Sequence, residues 1–196
     1  MKSYKHYNQN DYPHVLYDHN PKLDPALNDY ISDCGCGICA ACMLVENLLH
    51  ITCSVEECAE LALSCGARVN WGTDPEILVP KLCEKYGMGY AYTMDAHEAL
   101  RFLQEEKGMV IAWPSGERED EGYPGLFTKD GHFITLVAAE GSLVTVLDPS
   151  GSADKFEDPF RAARVQVCGD LVFADMKYIA EDCGEYSPAY ILFWKK

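Results

Sequence analysis

The chain has 196 residues, 31 of them Asp or Glu against 16 Lys or Arg, giving a formal net charge of -15 at pH 7 and a pI near 4.7. That length fits one ordinary domain able to bury roughly 70% of its unfolded surface without staples, and that charge disfavours nucleic acid and anionic membranes, which repel it at range. There is no apolar run of 18 residues and no apolar core in the opening Met1–Tyr7 to serve as a secretory signal, so the expected compartment is the cytosol (cytoplasmic), where most of the ten cysteines are free thiols.

Residues 1–32 are rich in Tyr, Asn, Asp, Pro and His, lack helical or strand periodicity and break at Tyr12-Pro13 and Asn20-Pro21, so an irregular arm is expected. Residues 33–108 read as a helical lobe. Its central helix starts at Cys36 and runs to about His50, with Met43, Leu44, Leu48 and Leu49 giving a broad apolar face. Ser54 with Glu57 is a capping box for a helix through about Cys65, which Gly66 ends. Asp74 with Pro75 opens the next, which stops at Gly87. Asp95 with Glu98 opens a third peripheral helix, closed by Gly108.

In residues 109–196 the character changes. Met109–Trp113, Phe133–Ala138, Leu143–Leu147, Leu171–Phe173 and Tyr190–Trp194 are β-type runs, and Pro114 to Gly125 is a polar loop. Helices first and antiparallel strands later make the class α+β. Without an internal repeat, low-complexity tract or linker, residues 1–196 form one domain.

The chemistry centres on Asp33-Cys34-Gly35-Cys36-Gly37-Ile38-Cys39-Ala40-Ala41-Cys42. Cys36 falls at a helix's first turn, where unpaired N–H groups and the positive end of the helix dipole lower a thiol pKa from about 8.5 toward neutrality. Small residues and cysteines packing a tight helix give the same string. A nucleophilic thiol also needs a base, and the base an orienting group. His6, His14 and His19 lie in the arm, His50 ends the central helix and His97 starts a peripheral one; all five are expected on the surface.

His132 differs, standing after Gly131 at the mouth of an apolar strand. If the hairpin loop is Ala139-Glu140-Gly141 with Gly in the left-handed position, Ala138 faces Ser142 and His132 faces Asp148, with Cβ atoms about 5 Å apart. A two-residue loop puts the two side chains on opposite faces. Asp148-Pro149-Ser150-Gly151 is also a good turn sequence in its own right.

Tyr7-Asn8-Gln9, Gly35-Cys36-Gly37, Gly131-His132-Phe133-Ile134 and Asp148-Pro149, with the order of helices and strands from about residue 4 to 150, resemble the papain-like cysteine peptidases of the C39-like group, relatives of the bacteriocin-leader peptidase domains. The resemblance implies a papain-like fold, an N-terminal helical lobe packed on a C-terminal antiparallel β-sheet. It implies a thiol hydrolase that cleaves a peptide or amide bond through an acyl-enzyme, without a cofactor. Carried over residue by residue, Cys36 is the nucleophile, His132 the general base and later acid, and Asp148 the group that orients His132. The Gln9 side-chain amide and the Cys36 backbone N–H form the oxyanion hole. The sequence departs from the group where Ile38 and Cys39 replace the usual Pro and Thr or Ser. Residues Tyr17 to Tyr30 also lengthen the gap from Gln9 to Cys36, and Cys34 adds a thiol able to compete with Cys36 or lock it by oxidation.

Two other readings compete. Cys34, Cys36, Cys39 and Cys42 make a C-x-C-x2-C-x2-C run that could hold zinc or an iron–sulfur cluster, although no second Cys-x-x-Cys pair exists to complete a four-cysteine site of the usual kind. Alternatively the fold serves as a catalytically inactive binding module. The acidic residues Glu117, Glu119, Asp120 and Glu121 are a solvated face or, if they rim the cleft, a preference for basic or amine-bearing substrates.

Overall fold

The computed structural model describes residues 3–18, 24, 26, 28–152, 154–184 and 186–196; His19 and the Asn20-Pro21 break lie outside them. A helix without a wet side runs through the middle. In α2 (Cys36–Leu49), which follows the single turn of α1 (Ile31–Cys34), every residue from Gly37 to Leu48 is buried, Glu46 and Asn47 included. The sequence predicts one broad apolar face here. The difference arises because α2 is covered by a sheet, by two further helices and by the N-terminal arm.

The two helices beside it begin and end where local chemistry dictates. α3 (Val55–Cys65) opens on the reciprocal Ser54–Glu57 capping box and closes at Gly66, and α4 (Pro75–Tyr86) opens on the Asp74 cap with Pro75 in its first turn and closes at Gly87. Between them a short ribbon, β1 (Arg68–Val69) and β2 (Gly72–Thr73), carries Trp71 at its tip.

The sheet has seven antiparallel strands in the order β3-β9-β4-β5-β6-β8-β7. These are β3 (Met88–Thr93), β4 (Met109–Ala112), β5 (Ile134–Glu140), β6 (Leu143–Leu147), β7 (Val165–Cys168), β8 (Leu171–Asp175) and β9 (Tyr190–Lys195). β3 lies inside the segment expected to be helical, yet pairs along its whole length with β9. The short helix α6 (Pro159–Ala162), β7, and the helix α7 (Met176–Asp182) that follows β8 also lie outside the predicted elements.

The sheet's two faces are covered by different helices. Ile111, Ile191 and Phe193 pack with α2, α3 and α4, whereas their neighbours Val110, Ala112, Tyr190 and Leu192 pack with Ala99 and Leu103 of α5 (Ala96–Gln104) and Met176 and Ile179 of α7. Period-two alternation along β4 and β9 thus divides the core into two layers. α5 opens on Asp95 as expected, but Glu98 turns to the Thr93 hydroxyl and the helix stops at Gln104, short of Gly108. Gly108 serves a different purpose, since a Cβ there would run into the Phe193 carbonyl. Among the described residues no helix is long and apolar enough to cross a membrane.

Candidate active site

Cys36 is the first residue of α2 and is half-buried. The glycine after it is needed for packing: a Cβ at Gly37 would lie 2.9 Å from the Thr73 side chain and 3.2 Å from the Phe133 ring. Burial works against a thiolate here, but the hydrogen bond and charge of His132, with the backbone N–H groups of Phe133 and Gly37, bring the Cys36 pKa below its ordinary value.

His132 is buried, and its Nε2 stands 2.8 Å from Asp148 Oδ1, which leaves the other ring nitrogen for the thiol. The expected three-residue hairpin loop is not what brings them together. Glu140 pairs with Leu143, so the loop is Gly141-Ser142, with Gly141 at φ 59. A bulge at Val137 then shifts the register by one, so that Leu136 pairs with Val146 and Thr135 with Leu147. The short loop and the bulge cancel in parity, and the ring and carboxylate meet just past the last ladder pair. Thr135 ties this strand to the helix that bears Cys36 by donating to the Ala40 carbonyl at 3.0 Å.

Asp148 is further held by residues without a signal in the sequence. Lys155 Nζ donates to Asp148 Oδ2 at 2.5 Å and to Ser150 Oγ at 2.8 Å, while the Ser150 N–H donates to Asp148 Oδ1 at 2.9 Å. Burial opposes ionisation of Asp148, yet Lys155 and His132 outweigh it and hold the carboxyl well below the usual range. For His132, burial disfavours the imidazolium, but bonds to Asp148 and Cys36 win and raise its pKa to about 8. A Lys seven residues past Asp148 belongs to no recognisable spacing, which is why the sequence does not reveal it.

The arm frames the site. His6, expected on the surface, is half-buried and donates from Nε2 to the Asp148 carbonyl at 2.8 Å; Asn8 Nδ2 donates to the Gly151 carbonyl at 2.6 Å, and the Gln9 N–H to the Pro149 carbonyl at 2.7 Å. On its other side Lys5 and Asn47 exchange two 2.8 Å hydrogen bonds, so the arm joins α2 to the Asp148 turn. The long interval from Gln9 to Cys36 is closed at its neck. Tyr17 N–H donates to the Asp29 carbonyl at 2.9 Å and Ile31 N–H to the Val15 carbonyl at 2.9 Å. The Gln9 side chain is therefore buried against α1, giving Nε2–H to the Ser32 carbonyl at 3.0 Å, four residues ahead of Cys36. His14, His50 and His97 are exposed as expected.

A cleft of about 550 Å³ opens on Cys36, lined also by Trp71, Trp113, Phe133, Asp130 and Tyr186. Trp113 is stacked with Tyr186 at 4.3 Å, Phe133 at 4.9 Å and Trp71 at 5.6 Å between ring centroids. Among the described residues the carboxylate lining this cleft is Asp130; Glu117, Glu119, Asp120 and Glu121 are exposed and do not line it.

The thiols of the Cys34–Cys42 run diverge. Cys34 Sγ turns to the Tyr30 and Tyr17 carbonyls, Cys36 to His132, Cys39 into the core, and Cys42 toward Cys53 and Cys58. The run therefore does not assemble as a four-cysteine site, because Cys34 belongs to α1 and Cys36 and Cys42, six residues apart on α2, point about 120° apart around its axis.

No protein-family model matches the chain, and no curated protein matches it significantly. Among solved structures, it is similar to a Bacillus anthracis protein described as a "putative C39-like peptidase", with a TM-score of 0.55 over 84% of this chain and 90% of that one, at 13% identity. The fold is peptidase-like. The likeness lies in the arrangement of helices and antiparallel sheet.

Proposed function

We propose that the chain is a thiol hydrolase of the papain-like type, cleaving a peptide or amide bond with Cys36, His132 and Asp148. The observation that carries this reading is the line from a helix-start thiol through a buried imidazole to a buried carboxylate, opening on a cleft. The Cys36 thiolate attacks the carbonyl carbon, and the C=O pair moves to oxygen. The Cys36 backbone N–H, one of the donors a helix start leaves without an intrahelical partner, and the second Gln9 amide hydrogen stabilise that oxyanion. His132 passes its proton to the departing nitrogen as the C–N bond breaks, leaving a thioester. Water then attacks the thioester with His132 as base, releasing the carboxylic acid and restoring the thiol.

Asp148 keeps the imidazolium oriented and remains ionised throughout. Because the Cys36 pKa is lowered and that of His132 raised to about 8, the thiolate–imidazolium pair exists between the two. Turnover is expected to rise as Cys36 ionises and to fall above about pH 8 as His132 loses the proton that the leaving group needs.

The test is iodoacetamide labelling followed by peptide mass mapping. Cys36 should react far faster than the exposed Cys168 or the half-buried Cys65, with a rate that titrates at lower pH than that of an ordinary thiol and survives in Cys168→Ser. Cys36→Ala should remove the fast phase. Uniform slow labelling of all accessible thiols overturns the hydrolase and leaves an inactive binding module.

A further inference from the structure

Away from the cleft, three sulfurs that no step of this chemistry uses meet inside the helical layer. Cys42 lies six residues along α2 from Cys36, about 9 Å along the axis. Cys53 is in the α2–α3 connection and Cys58 in α3. Their Sγ atoms all lie within 4.8 Å of one another, and all three residues are buried. This is the one group of three or more His, Cys, Asp or Glu ligand atoms converging in this way among the described residues. We propose that Cys42, Cys53 and Cys58 bind a soft, thiophilic d10 cation, Cu(I) or Zn(II).

Ligand chemistry selects the class of ion. Three thiols with no carboxylate or imidazole among them suit soft cations and reject Mg²⁺ and Ca²⁺, which require cages of oxygen. The nearby Glu46 is committed elsewhere, its Oε1 accepting the Cys53 N–H at 2.7 Å and the Tyr7 hydroxyl at 2.9 Å. Spacing also fits. Metal–sulfur bonds of about 2.3 Å place the sulfurs of a trigonal site about 4 Å apart, so the Cys53–Cys58 pair, 3.3 Å apart as free thiols, opens by under about 1 Å. Tyr86 Oη stands 3.3 Å from Cys53 Sγ and offers the oxygen that a tetrahedral Zn(II) site needs, while Cu(I) is satisfied by three sulfurs.

Packing alone gives no reason for sulfurs from three separate segments to converge, since Cys39 and Cys83 fill the same layer without joining the group. Binding releases the thiol protons to solvent and ties α2 to α3, so the ion acts as a staple on the helix that bears Cys36. This inference does not depend on the hydrolase reading.

Reduced, oxygen-free protein equilibrated with one equivalent of Cu(I) or of Zn(II) against a competing chelator tests it. One ion should be retained per chain, equally by the wild type and by Cys36→Ser. X-ray absorption should show three sulfurs around Cu(I), or three sulfurs and one oxygen around Zn(II), and the arm that retains metal identifies the ion. Cys58→Ser and Cys42→Ser should each weaken retention by about 100-fold or more. If these variants fail to fold, protection of Cys42, Cys53 and Cys58 from alkylation in ion-loaded wild type, read by mass mapping under mild denaturant, decides the matter. Retention of neither ion, undiminished retention by folded Cys58→Ser, absence of that protection, or loss of the ion in Cys36→Ser overturns the site.

Discussion

Asp148 and Asp182 are the most deeply buried acids among the described residues, 1% and 0% exposed, and they are held by opposite means. Asp148 faces two cationic partners, Lys155 and the His132 ring, and its carboxyl is held well below the usual range. Asp182 takes its hydrogen bonds from neutral donors, and the charge of Arg118 is the least of the influences on it. Leu126 N–H at 2.7 Å, Phe127 N–H at 2.9 Å and the Tyr123 hydroxyl at 2.9 Å all give it hydrogen bonds, while burial lifts its pKa above the ordinary value. Depth of burial is thus the same and countercharge differs. A carboxylate bonded to backbone N–H groups fixes a loop, here the segment 114–127 that leads toward His132; one bonded to a titrating ring can steer a proton.

Replacing Asp148 should separate these roles most sharply. Asp148→Asn keeps the size but removes the charge that favours the oriented imidazolium, so turnover should fall by about 10²- to 10⁴-fold. Iodoacetamide should still find Cys36, more slowly at neutral pH because the thiolate loses its partner. An unchanged turnover would mean that Asp148 is only a turn residue.

Asp182→Asn should act on stability. The amide sets an N–H donor against N–H groups that had an acceptor, a mismatch of about 1–3 kcal/mol per buried group left unsatisfied, measurable as a lower denaturation midpoint. Labelling of Cys36 in the folded fraction should change little. The acid limb supplies the contrast in sign. A depressed carboxyl stabilises the fold above its unfolded pKa, and that stability is lost as pH falls through the folded value, so Asp148→Asn should flatten the loss of stability below about pH 5. A raised carboxyl does the reverse, regaining stability as pH falls, so Asp182→Asn should steepen the same limb. Parallel acid limbs for the two variants would refute the distinction.

The sequence carries one of these two carboxylates in readable form and hides the other. Asp148 is visible because it directly follows the β-type run that forms a hairpin with the strand after His132, although the two-residue loop and the bulge at Val137, and with them the register that joins the strands, are not. Caps at Ser54, Asp74 and Asp95 are local chemistry and appear where expected. Asp182 ends α7, an unpredicted element, and its partners, two backbone N–H groups and the Tyr123 hydroxyl, are more than fifty residues away. Lys155, Trp71 and Tyr186 reach the site through tertiary placement alone. β3 escapes notice because what makes Met88–Thr93 a strand is β9, a hundred residues on. The covering of α2 on every side likewise depends on what folds over it.

The smallest expected effect belongs to Lys155. Its ammonium offsets part of the Asp148 charge, so Lys155→Met should expose His132 to a stronger negative field and favour the imidazolium further. The alkaline limb of turnover then moves upward from about pH 8 by roughly one pH unit, with turnover at the optimum within about tenfold of wild type. Asp148 itself, losing a cation at 2.5 Å, becomes easier to protonate, so acid unfolding begins at higher pH. These two shifts run in the same direction, whereas general loosening of the turn would lower turnover at every pH and leave both limbs in place. A downward move of the alkaline limb would show that Lys155 acts on the ring by supporting Asp148's position more than by cancelling its charge.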